Sequence, residues 1–275
     1  MQQDNMTPKD TRILGLLIVL AAFIWIRDTS WMSTADDTLP ILIAIPVFVW
    51  LGWPWTFLKE EKPLPAWGIF GTALLFLAGI VSDLTVLLAI GWCVLVWAFI
   101  RTRIDPELHD MSRKLMVLPL IAFPWITLDA EKLGWWFRLS GAWVTGEVFH
   151  ALGYAVVTEG TFLHINGQPI SVEPACSGLN TLQSMMISGS MMAYVLLGET
   201  SRYWISLPFL VVLAWLANTI RIMVLTTAAI LISPEFAMGW FHDWGGWFIL
   251  VLMFLLAWGV FSLAAPPEPK EEAQT

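Results

Sequence analysis

A chain of 275 residues that is 57% hydrophobic and only 13% charged, with a mean hydropathy of +0.71, is too apolar for an ordinary water-soluble domain. The formal net charge of −8, without clustered Lys and Arg, gives no electrostatic reason to expect nucleic acid as a partner. Two cysteines cannot build a disulfide framework.

A spanning helix needs about 20 apolar residues at ~1.5 Å rise each. In chain order the apolar runs predict spans over 12–26, 38–58, 65–82, 84–101, 114–129, 176–198, 203–232 and 240–263. Asp83 splits an otherwise overlong run and predicts a tight hairpin between the third and fourth spans. Prolines at 40, 46, 54, 119, 124 and 208 are tolerable, because neighbouring helices satisfy the carbonyls they free. Eighteen tryptophans against three tyrosines fit many helix ends at lipid–water interfaces. No internal repeat of fixed period is visible, which counts against inverted-repeat transporters.

Between the fifth and sixth spans lies the one sizeable non-spanning region. "LGWWFRLSGAWVTGEVFHALGY" breaks apolar and aromatic residues with Arg138, Glu147 and His150, and predicts an amphipathic interfacial helix. "TFLHINGQPISV" places β-prone runs on either side of Asn166-Gly167, a two-residue hairpin signal. The reading is an all-α polytopic membrane protein with about eight transmembrane helices, this helix and hairpin preceding the sixth. It forms one domain over 1–265, followed by a short acidic cytoplasmic tail over 266–275. Most Lys and Arg fall in loops that share a side with the N-terminus: Lys9, Arg12, Lys59, Lys62, Arg101, Arg103, Arg113, Lys114, Arg202 and Lys270. The opposite side holds Arg27, Lys132 and Arg138, so both termini are expected in the cytoplasm.

On that topology Cys176 sits at the outer mouth of the sixth span. Pro174 disfavours helix before it, so the helix begins near the thiol, where the macrodipole favours thiolate. The alternative is a small buried hydrophobe, and Cys93, inside "LLAIGWCVLVWAFI", is read that way outright. Asn180, Gln183, Ser184 and Ser188 recur at helical spacing below Cys176. They are either interhelical hydrogen-bonding groups or a groove that admits a polypeptide. Arg221 in "WLANTIRIMVL" lies well inside the seventh span, where a guanidinium is a functional candidate by default, and Asn218 shares its face. His242 opens the eighth span on the outer side, with Gly245 and Gly246 permitting close helix approach nearby. His150 is a rival imidazole; His109 and His164 have weaker claims. A thiol, a cation and an imidazole are what cysteine acyl transfer requires.

"ACSGLNTL" around Cys176, "NTIR" ending at Arg221 and "FHDWGGW" starting at Trp240-adjacent Phe241, with His242 next, resemble the exosortase/archaeosortase family in order and spacing. The resemblance is specific over about 170–250 and compositional over the first 130 residues. It implies an integral membrane cysteine protease or transpeptidase in the cell inner membrane, with its site on the extracytoplasmic side and no metal or cofactor. Its expected partners are the bilayer and exported proteins carrying a C-terminal sorting signal, namely a short motif such as Pro-Glu-Pro, an apolar helix and a basic cluster. Carried residue by residue, the resemblance implies Cys176 as nucleophile, Arg221 as electrostatic stabiliser and His242 as acid/base. Beside them, Ser177, Gly178 and Asn218 are expected in support, and Asn180, Gln183 and Ser184, from the polar stripe, in substrate binding. A transporter, or a scaffold component of an envelope polysaccharide system, is the alternative.

Overall fold

Thr7 and Asp10 start the first helix by capping each other. The Thr7 N–H donates to Asp10 Oδ2 at 2.8 Å and the Asp10 N–H to Thr7 Oγ1 at 3.3 Å, with Pro8 in the first turn. The computed structural model describes residues 7–33, 35–58, 62–172 and 177–267, the side chains of 33, 35–41, 238 and 240–243 excepted. From that cap runs α1 (Pro8–Arg27), then α2 (Ala35–Leu51), α3 (Ala66–Ser82) and α4 (Thr85–Arg103). The predicted hairpin between α3 and α4 is present. Asp83 takes the left-handed conformation (φ 56°) and the Leu84 N–H returns to the Gly79 carbonyl at 3.0 Å. A Cβ on Gly68 would stand 2.5 Å from that of Ala98, so the two helices touch along small residues.

The predicted fifth span, 114–129, is not one helix. It forms three short pieces: α5 (His109–Leu115), α6 (Val117–Ile121) and α7 (Trp125–Asp129). Pro119 and Pro124 each remove a helical donor and crowd the preceding turn. Leu118 to Pro124 nevertheless lie at the centre of the core, apart from half-buried Leu120. Freed carbonyls there take tryptophan donors: Trp25 Nε1 reaches the Ala122 carbonyl at 2.9 Å and Trp125 Nε1 the Leu120 carbonyl at 2.8 Å. Irregular backbone at membrane depth survives only under such cover. Trp92 likewise donates to the Leu17 carbonyl at 2.8 Å. Several tryptophans are therefore internal donors, while others, such as Trp50, Trp136 and Trp143, are exposed as interfacial residues would be.

Next come α8 (Glu131–Ala151), then strands β1 (Val156–Glu159), β2 (Phe162–Ile165) and β3 (Gln168–Ser171). The predicted hairpin is β2–β3. Ile165 pairs with Gln168 across Asn166 (φ 50°) and Gly167 (φ 82°), and two positive φ values are what this two-residue turn demands. β1 extends it to an antiparallel meander in the order β1-β2-β3, one strand more than expected. The last helices are α9 (Leu179–Leu197), α10 (Arg202–Leu231), α11 (Pro234–Met238) and α12 (Trp240–Ala264).

Polar contacts define two ends. At one, the buried Arg103 holds buried Asp10 through Nε at 2.7 Å and Nη2 at 2.6 Å, fastening the start of α1 to the end of α4. The Lys114 ammonium there bonds the Gly198 carbonyl at 2.6 Å, Tyr203 Oη donates to the Lys114 carbonyl at 2.7 Å, and Arg202 donates to the Ala264 carbonyl. At the other end Arg27 pairs with Asp83, and Asp129 Oδ2 accepts from the Val86 N–H at 2.6 Å. The cations thus collect where α1 begins and α4, α9 and α12 end. Between the ends one hydrophobic core runs from Leu17 to Phe261.

Among the described residues, three helical stretches are long and apolar enough to cross a bilayer: Thr85–Arg103, Arg202–Leu231 and Trp244–Ala264. Leu42–Leu51 and Ala66–Ser82 are shorter apolar helices. The expected count of eight does not follow from helix lengths, because the fifth run is broken and α9 carries Asn180, Gln183 and several serines.

Candidate active site

The site follows from the register of three antiparallel helices pinned at the basic end. α9 leaves the far end at Leu179 and finishes at Leu197; α10 returns from Arg202; α12 comes back to Ala264, which accepts from Arg202. At ~1.5 Å per residue, Arg221 stands roughly 28 Å along α10. That level is shared by the start of α9 and by Gly246 of α12, and the contacts agree.

Gly178 precedes α9 in the left-handed conformation (φ 73°), and its carbonyl accepts from the Leu182 N–H at 2.8 Å. A Cβ there would stand 2.7 Å from Asn218 Cγ, so the Asn218 side chain, 1% exposed, lies directly on the Gly178 backbone. A Cβ on Gly246 would lie 3.3 Å from both Cζ and Nε of half-buried Arg221. α8 closes a third side. A Cβ on Gly134 would meet Ser177 Cβ at 3.0 Å, and one on Gly141 would meet Ile222 Cδ1 at 2.7 Å. Trp215 Nε1 donates to Ser140 Oγ at 2.8 Å, locking α8 along α10. Beyond Arg221, Ile222, Met223, Leu225 and Ile230 pack with Phe149 and the sheet residues Leu163 and Ile165 in a separate small core. The predicted amphipathic helix is therefore a wall of the site, with buried Gly134, Phe137, Gly141, Ala142 and Thr145 turned inward and Trp135, Trp136 and Trp143 exposed.

The candidate residues divide plainly. Asn218 lies on Gly178 at the head of α9, Ser177 lies against Gly134 of α8, and Arg221 lies against Gly246 of α12. Cys176 lies outside the described residues, two positions before Gly178. His242 falls in the first turn of α12, one turn before Gly246, and its side chain is outside the description. The expected polar stripe on α9 splits: Asn180 is exposed, Ser184 half-buried, and Gln183 buried at 2% exposure. Ser188 joins Trp50, Met191, Met192, Val195 and Trp258 around an apolar cavity of about 330 Å³ between α2, α9 and α12. Of the rivals, His150 and Glu147 are exposed on α8, and His164 lies in β2 opposite Pro169. His109 sits at the basic end, 3.2 Å from the Ile104 carbonyl and against the Trp97 ring. Cys93 is a free thiol packed against the core. The glycines of α8 escaped the sequence reading, although Gly134 and Gly141, seven residues apart, are the spacing of a close helix seam.

The model of the transmembrane exosortase family (Exosortase_EpsH) matches residues 31–259. The chain belongs to that family. Membership implies a multi-pass membrane protein that acts as a transpeptidase or protease. No curated protein and no solved structure matches this exosortase.

Proposed function

We propose that this exosortase is a cysteine-type enzyme of the cell inner membrane that cleaves C-terminal sorting signals from exported proteins through a thioester. Its domain spans residues 1–265 and its site opens on the extracytoplasmic side, opposite the cation-rich end. The observation that carries the reading is the paired packing of Gly178 on Asn218 and of Gly246 on Arg221. Two close backbone approaches, flanking Cys176 in the chain on one side and His242 on the other, support a thiol and an imidazole converging on one guanidinium.

The Cys176 thiolate adds to the scissile carbonyl, and the oxyanion that forms is stabilised by Arg221. Collapse expels the leaving amine, which takes its proton from the His242 imidazolium. The carboxyl-terminal helix departs, and the remaining acyl group stays on sulfur as a thioester. Water or an acceptor amine then attacks that carbonyl, giving its proton back to His242 as the thiolate leaves. Hydrolysis and transfer share every step but the last. The methionine-lined cavity between α2, α9 and α12 gives the apolar part of the signal an adaptable surface below the site.

A tagged reporter ending in a short motif, an apolar helix and a basic cluster provides the test. Cys176→Ala abolishes its cleavage and Cys93→Ala leaves it intact; cleavage at the native rate by Cys176→Ala ends the mechanism. A transporter would instead keep its function with Cys176→Ser and lose it on replacement of Arg221.

A further inference from the structure

The cation-rich end, opposite the candidate active site, holds a cavity of about 500 Å³ that the chemistry above does not use. α1 contributes Lys9, Arg12 and Ile13 to it, the segment entering α3 contributes Lys62, and α4 contributes Thr102 and Arg103. Around α4, Ala98 turns to α3 and Arg103 to α1. At ~100° per residue Thr102 falls between them, about 40° from Ala98, so the cavity sits in the notch between α1 and α3. α4 is one of the stretches long enough to cross a bilayer, and Thr102 and Arg103 are its last residues, so the cavity lies at headgroup depth. Trp67, in the first turn of α3, is exposed as an interfacial residue would be. Deeper along α1, Leu16 and Phe23 extend the face of Ile13 and are exposed, and α3 exposes Phe70 and Leu74.

The lining carries four basic side chains, Lys9, Arg12, Lys62 and Arg103, against one acid, Asp10. Asp10 is already engaged: Arg103 holds both of its oxygens, and the Thr7 N–H donates to one of them. Arg12 and Lys62 make no ion pair among the described residues. Lys9 stands in the first turn of α1, where the positive end of the helix dipole disfavours a cation. Glu60 and Glu61 precede Lys62 in the chain and lie outside the described residues; they are the chain's own rivals for these cations. Like charges gathered around a cavity repel, and an anion entering it relieves that repulsion. A phosphate suits the set, because arginine holds it through paired N–H groups and lysine as a point charge. Basic pockets between membrane helices take anionic lipid headgroups in this way.

We propose that this cavity binds the phosphate of an anionic phospholipid, with Arg12 and Lys62 as its main donors and the acyl chains against the exposed apolar faces of α1 and α3. The proposal stands apart from the thiol mechanism and holds whichever way that is decided. It also gives the lipid a structural task. At the opposite end Arg27 of α1 pairs with Asp83 in the α3–α4 turn. At this end the phosphate is the group that joins α1 to the segment entering α3.

Thermal unfolding of the full-length protein in dodecyl maltoside tests this, with dioleoyl phosphatidylglycerol or dioleoyl phosphatidylcholine titrated into the micelles. The two lipids share their chains and differ in net headgroup charge. Phosphatidylglycerol raises the unfolding temperature saturably and phosphatidylcholine does not. Arg12→Gln and Lys62→Gln each weaken the apparent affinity about fivefold, and together about 25-fold. Each variant unfolds at the native temperature in phosphatidylcholine, which reports an intact fold, and Arg12→Lys keeps most of the affinity. Arg101→Gln removes an exposed cation at the same end but outside the cavity, and keeps the full response. Glu60→Gln/Glu61→Gln keeps it too. Soluble glycerol phosphate, at the same phosphate concentration, leaves the unfolding temperature unchanged; stabilisation equal to that by the lipid assigns the cavity to a free phosphate ester and overturns the lipid. An equal response to both lipids, an affinity unchanged in Arg12→Gln/Lys62→Gln, or the same loss in Arg101→Gln or Glu60→Gln/Glu61→Gln also overturns the proposal.

Discussion

Replacing Gly178 with alanine is the sharpest local perturbation of the site. Its φ of 73° lies in the left-handed region, which costs an L-residue roughly 1–2 kcal/mol. The added Cβ would also stand 2.7 Å from Asn218 Cγ, 2.9 Å from its Cβ and 3.0 Å from its Nδ2. Overlap of that kind in a packed interior typically costs about 1–3 kcal/mol. Together the terms reach roughly 3 kcal/mol, relieved only if the head of α9 moves off α10, carrying the Cys176 segment with it. Reporter cleavage and iodoacetamide labelling of Cys176 should both fall more than about tenfold, since each ~1.4 kcal/mol is a factor of ten. Gly15→Ala, at a position with open space around it, is the control and should be neutral in both assays. Asn218→Ala in the Gly178→Ala background removes the contacts at 2.7 and 3.0 Å but not the one at 2.9 Å, and restores labelling in part. Native labelling and cleavage by Gly178→Ala alone would show that Gly178 does not need to touch Asn218.

At the basic end, Asp10→Asn leaves the Arg103 guanidinium, whose side chain is 3% exposed, without its carboxylate. Thermal unfolding in detergent should show a loss of about 3–5 kcal/mol, with Asp10→Asn/Arg103→Met more stable than Asp10→Asn alone. Asp110 has its carboxyl held below the usual carboxylate range, first by the hydrogen bond from Lys114 and then by the nearby Arg113. A lowered folded-state value means that its contribution is fully present above about pH 4 and is lost as the pH falls through the lowered value. Acid scans of the unfolding temperature should therefore fall less steeply in Asp110→Asn, and identical slopes would remove Asp110 from the account.

Much of this exosortase could be read from sequence because its strongest signals are local. Asp83 and Asn166-Gly167 announced their turns, since left-handed backbone is so restrictive. The apolar runs located α1, α3, α4, α10 and α12 to within a few residues. Hydropathy misjudged 114–129 because a run buried inside the protein is as apolar as one facing lipid, and only Pro119 and Pro124 hint at the break. β1 was missed because three of its four residues are exposed, which erases the alternation that marks a strand. At the site, Arg221 declared itself by being charged inside an apolar run.

The most direct measurement is the intact mass of the enzyme quenched in acid while the reporter is being consumed. The account predicts an adduct equal to the reporter's amino-terminal fragment, released by hydroxylamine, mapping to the peptide that contains Cys176 and missing from Cys176→Ala. Reporter cleavage that proceeds with no adduct on that peptide would contradict it.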